Sequence, residues 1–150
     1  MNELAGGCLC EAIRYRCQAV PLGGGHCFCR DCRRSSGTAG CSHLVVPHAA
    51  LVVTGTPVTF ERAADSGNTV TRAFCGRCGS PVFSINSGMP GVIFVRASSL
   101  DDPERFVPGM IVYASRAPSW AQLDPKLATF PRCRLQISSL RSYRRRHELR

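Results

Sequence analysis

Apolar and polar positions alternate in short runs along most of the chain, and almost nowhere at the spacing of a helix. In residues 12–17, Ile13, Tyr15 and Cys17 fall on one side and Arg14 and Arg16 on the other, which predicts a half-buried strand. Residues 44–46, 51–54, 58–60, 69–74, 82–85, 92–96 and 110–113 are further short runs, mostly rich in β-branched residues, and read as strands. Gly and Pro punctuate them. Residues 21–25 (PLGGG) read as a turn, 55–57 as a second, and 63–68 as a hairpin loop. Only 30–36 and 99–105 read as one or two helical turns. Many short strands with frequent turn signals predict a mainly β fold.

Composition adds limits. The chain has 150 residues, 44% hydrophobic and 19% charged, enough for one domain with a buried core. Its longest apolar run, 49–53, is far short of the roughly 18 residues of a membrane span, so no membrane contact is expected. The opening MNELAGGCLC has neither a basic start nor an apolar stretch, so no secretory signal is expected and the chain reads as cytoplasmic. The net charge of +9 is uneven. Residues 132–150 hold seven arginines and one glutamate, leaving +3 for the rest. A basic tail thus hangs on a nearly balanced domain. With one aromatic, Tyr143, and no stacking series, the tail is a poor nucleic-acid reader.

Ten cysteines change the picture most. Where thiols stay reduced, clustered cysteines bind metal rather than form disulfides, and these sit one and two residues apart. Cys8 and Cys10 form C-x-C; Cys27, Cys29 and Cys32 form C-x-C-x-x-C; Cys75 and Cys78 form C-x-x-C. The clusters divide as four plus three. Cys8, Cys10, Cys75 and Cys78 make a closed four-thiolate zinc site that ties the first strands to the middle of the chain. Cys27, Cys29 and Cys32 leave two alternatives: an open catalytic zinc site, or a second structural site closed by His26, Cys41 or His43. Cys17 reads as a buried free thiol, as does Cys41 in the first alternative, and Cys133 as an exposed one.

The motifs HCFCRDCRRSSG, FCGRCGSP and GGCLCEAIRYRC, with VIFVRASSLDDPERFVP and IVYASRAPSW, resemble the glutathione-dependent formaldehyde-activating enzyme family, which includes centromere protein V. The resemblance covers about residues 6–131. It implies a folded β "tent" of the Mss4-like class with two zinc ions per chain. Residues 1–131 would be the zinc-binding domain and 132–150 a basic tail. Carried over position by position, Cys8, Cys10, Cys75 and Cys78 match the structural zinc ligands, and Cys27, Cys29 and Cys32 the catalytic ones. Two positions depart from the family pattern. Glu11 stands where members commonly have glycine, and Met110 where many have histidine.

A zinc ion held by three thiolates is suited to a soft fourth ligand, a substrate thiol kept as thiolate. The resemblance implies glutathione and formaldehyde, joined as S-hydroxymethylglutathione or released from it: a carbon–sulfur lyase. Arg30, Arg33 and Arg34 are candidate partners for the carboxylates of glutathione, though solvated surface is the blander reading of any one of them. Asp31 would orient a ligand or cap the following turn. His26 and His43 are acid–base candidates, His48 a loop residue, and Trp120 a core residue. The alternative function is a non-catalytic zinc module whose tail contacts nucleic acid or another acidic partner.

Overall fold

The computed structural model describes residues 3–133. Three strands, β1 (Leu4–Gly7), β2 (Arg14–Cys17) and β5 (Leu51–Thr54), form a small antiparallel sheet with β2 central. The other eight form one large sheet. They are β3 (Gly23–Cys27), β4 (Cys41–Pro47), β6 (Val58–Ala63), β7 (Thr69–Phe74), β8 (Pro81–Asn86), β9 (Val92–Arg96), β10 (Met110–Val112) and β11 (Ala128–Thr129). Their order is β11-β10-β3-β4-β9-β8-β7-β6; β10 runs parallel to both neighbours and the remaining pairs are antiparallel. The one α-helix among the described residues, α1 (Arg30–Ser36), follows β3. Among the described residues no helix is long and apolar enough to cross a membrane.

Alternation along the strands separates two faces. Leu44 and Val46 of β4 and Ile93 and Val95 of β9 pack with Ile13, Tyr15 and Cys17 of the small-sheet side, forming the main core. Burial of these side chains supplies most of the driving force for the fold. Tyr15, 1% exposed, also bonds Ser99 through its hydroxyl at 2.8 Å. The opposite face of the large sheet carries a smaller cluster, Val45, Met89, Val92 and Phe94, and faces a cavity.

The stretch 21–25 is not a turn. Gly23–Gly25 lie inside β3, where Gly25 pairs with His43 on one side and Met110 on the other. A Cβ on Gly25 would stand 2.4 Å from the Met110 carbonyl oxygen, so the glycine permits β10 to approach. Trp120 is not a core residue: it is 68% exposed. The basic tail beyond residue 133, with Tyr143, lies outside the described residues.

Candidate metal centres and the adjoining cavity

Two turns build the first centre. Cys8 and Cys10 occupy the turn between β1 and β2, and Cys75 and Cys78 the turn between β7 and β8. The four sulfurs all lie within 4.8 Å of one another. Cys8 and Cys10 are 3.7 Å apart and Cys10 and Cys75 3.6 Å. A tetrahedron of thiolates at the usual zinc–sulfur length has an edge of about 3.8 Å, so these separations fit zinc. Backbone amides complete the knuckles: Ile13 N–H donates to Cys8 Sγ at 3.2 Å and Arg77 N–H to Cys75 Sγ at 3.4 Å. Left-handed backbone closes both turns, at Gly79 (φ 75°) and at Glu11 (φ 61°). Glu11 is therefore a side-chain-bearing residue where the geometry favours glycine.

The second group forms where β3 runs into α1. Cys27 ends the strand, Cys29 caps the helix by accepting from Cys32 N–H at 3.2 Å, and Cys32 lies in the first turn. Their sulfurs also lie within 4.8 Å of one another. Sheet register adds two residues. Cys41 on β4 stands opposite Cys27, and Cys41, His43 and Cys32 form a third such group sharing Cys32. His43 Nε2 is 2.8 Å from Cys41 Sγ and 3.8 Å from Cys32 Sγ. His26 takes no part in any of the three groups. It bonds Ser42 Oγ at 2.8 Å and meets Phe106 edge-on, and burial lowers its pKa, favouring neutral imidazole.

So many sulfurs cannot ionise together in this enclosed place. Hydrogen bonding from Cys27, Cys29 and Cys41 pushes the pKa of the Cys32 thiol down, and the same crowding pushes Cys27 and Cys41 well up. A soft cation removes the conflict, so the donor set fits zinc.

Beside this group lies a cavity of about 270 Å³ floored by one face of the large sheet. Register puts Arg72 beside Ser84, Ser84 beside Phe94, and Arg96 beside His43, all on that face. Arg30 lines the cavity; Arg33 and Arg34 are not among its lining residues. The arginines that sequence reasoning missed are Arg62, Arg72, Arg96 and Arg116. Asp31 faces Arg62 at 3.8 Å and Arg72 at 3.7 Å, so it neither caps the helix, a task Cys29 performs, nor stands alone. Tyr113 also lines the cavity, with left-handed backbone (φ 56°) and the Arg116 guanidinium 5.4 Å from its ring centre. Burial pushes its pKa up to about 12, so its hydroxyl stays protonated at neutral pH. An Arg116–Asp65 ion pair joins this segment to the β6–β7 hairpin. Cys133 is exposed and reaches the cavity lining.

The chain matches the sequence model of the glutathione-dependent formaldehyde-activating enzyme over residues 3–116, and it belongs to that family. The match stops within the last resembling motif, before Trp120. The mainly β architecture agrees with the Mss4-like class expected of such a chain. A crystal structure of a Rhodobacter sphaeroides protein is similar in fold, with a TM-score of 0.55 and 14% identity, covering 84% of this chain and 98% of that one. No curated protein matches the sequence.

Proposed function

We propose that the protein is a zinc-dependent carbon–sulfur lyase or synthase acting on an adduct of glutathione and formaldehyde. The observation that carries the reading is the second cysteine group: three thiols, mutually within 4.8 Å, form one wall of a cavity that also holds five arginines. Family membership supplies the substrate class. Cys8, Cys10, Cys75 and Cys78 would hold a structural zinc, and Cys27, Cys29 and Cys32 a second, exchangeable one. Zinc bound at three thiolates keeps a fourth sulfur ligand deprotonated and nucleophilic.

The chain's own residues then orient and protonate. Arg72 and Arg62, with Arg30 at the rim, receive the two carboxylates of glutathione. In the synthetic direction the thiol loses its proton, the sulfur bonds the formaldehyde carbon, and the carbonyl oxygen gains a proton to become the hydroxyl. Tyr113, which lines the same cavity as Cys27 and Cys29, is the candidate donor to that oxygen. The lyase direction reverses each transfer. A compact cavity with apolar Val45, Met89 and Phe94 on its floor suits a small adduct.

One observation favours a second reading. Cys41 and His43 lie within 4.8 Å of Cys32, and either as a fourth ligand would close the centre and make the chain a zinc-stabilised module with no reaction. Cobalt substitution distinguishes the two. In an open site, glutathione changes the ligand-field bands of one metal, and Cys27→Ser abolishes the change. Bands indifferent to glutathione, with Cys41 or His43 as fourth ligand, would establish the closed centre instead.

A further inference from the structure

Arg96 ends β9 on the cavity face and is 2% exposed. Its guanidinium makes one hydrogen bond, from Nη2 to Ser35 Oγ at 3.0 Å. Nε and Nη1 are buried without a partner, and no carboxylate pairs with Arg96 among the described residues. A buried, unpaired cation is strongly disfavoured, so it persists where an anion compensates it. The candidate anions are sulfurs. Ser35 lies one turn after Cys32 and donates to its carbonyl at 3.3 Å, which ties Arg96 to the helix that presents Cys32. On the sheet, Arg96 stands opposite His43, whose Nε2 is 3.8 Å from Cys32 Sγ and 2.8 Å from Cys41 Sγ. Because Nε and Nη1 are covered, a ligand carboxylate does not reach them; the accessible cations of the cavity are elsewhere.

We infer that Arg96 is the built-in countercharge of the Cys27–Cys29–Cys32 centre, and that it lets this centre accept a fourth sulfur as thiolate. The inference rests on the open-site reading proposed above. Three thiolates leave a zinc ion one net negative charge, and a fourth makes it two. In a low-dielectric setting that second charge is resisted unless a fixed cation stands near. Arg96 supplies it from the floor of the site. It is a positioning residue, since its charge acts on the centre without touching substrate, and it sets the preference for thiolates over neutral fourth ligands.

The test uses the full chain loaded with cobalt at both centres. Wild type, Arg96→Met and Arg96→Lys are titrated with glutathione and with 2-mercaptoethanol, which has no carboxylate, and the ligand-field bands report binding. Arg96→Met should bind both thiols at least tenfold more weakly, and Arg96→Lys should recover most of the affinity, with two metals per chain throughout. If Arg96→Met does not fold, Arg96→Gln carries the same test, because it keeps an amide donor but no charge. Unchanged thiol affinity in the neutral variant overturns the countercharge role. Weakening towards glutathione alone makes Arg96 a carboxylate receptor and overturns it too. A wild-type spectrum indifferent to both thiols removes the open site itself, and this inference with it.

Discussion

Arg72 on β7 reaches the Asp31 carboxylate at 3.7 Å, joining a strand of the sheet to the knuckle between Cys29 and Cys32. Arg62 reaches the same carboxylate at 3.8 Å. One internal anion thus holds two cations where a substrate carboxylate would enter. Replacing Arg72 with Met should raise the KM for glutathione about tenfold and change kcat little, the signature of lost ground-state binding worth a charge-assisted hydrogen bond. Asp31→Asn should act oppositely and lower that KM. Steady-state kinetics with glutathione and with a thiol lacking carboxylates check both. Equal effects on the two thiols would mean a disturbed cavity rather than a lost partner.

The two centres should differ in what they do for folding. Cys75 is 2% exposed and packed in the main core, and its sulfur links turns far apart in the chain. Cys75→Ser should leave the chain largely unfolded, and Cys29→Ser folded with one metal fewer. Circular dichroism and metal counting on purified variants measure this. Strong chelation of the wild type should lower its melting temperature towards that of Cys75→Ser.

Glu11 holds left-handed backbone at φ 61° in the first knuckle and is exposed. Glu11→Gly should stabilise the zinc-loaded protein by up to about 1 kcal/mol, since the steric cost exceeds the added freedom of the unfolded chain. Denaturant midpoints at fixed zinc would show it. A loss of stability would mean that the Glu11 side chain makes a contribution larger than the strain it bears.

Tyr15 gives a pH dependence with a definite sign. Burial raises its pKa from 10.0 to about 12. A raised pKa means that the folded state holds the phenol proton more tightly than the unfolded state does. Its contribution is full below pH 10 and is lost as pH climbs towards 12. Tyr15→Phe should cost about 1 kcal/mol near neutrality, from the lost bond to Ser99. It should also flatten the alkaline fall in stability relative to wild type. Parallel unfolding curves from pH 9 to 12 provide the comparison.

Strands and helix were legible wherever side chains carried the pattern. Leu51–Thr54, Thr69–Phe74, Val92–Arg96 and Arg30–Ser36 have the bounds that their apolar runs and turn residues predict. Gly23–Cys27 was not legible, because glycine shows no periodicity and its role here is to let Met110 approach. Leu4–Gly7, half glycine, left the same silence. The cysteine groups could be read because their members adjoin in sequence. Cys41 and His43 were named only as alternatives, since what brings them beside Cys32 is the β3–β4 register. Arg62, Arg72 and Arg96 sit alternately with other residues on separate strands, and nothing local tells an arginine facing a cavity from one facing water. Only the pairing of β6 through β9 assembles them.

The two faces of the large sheet have different obligations. Leu44, Val46, Ile93 and Val95 keep the protein folded, while Arg72 and Ser84, on the opposite face of the same sheet, meet whatever enters the cavity. Selection can therefore revise one set while conserving the other. A family built on this plan can keep its scaffold through wide sequence divergence and retune its guest by changing every second residue, so a new specificity need not wait for a new architecture.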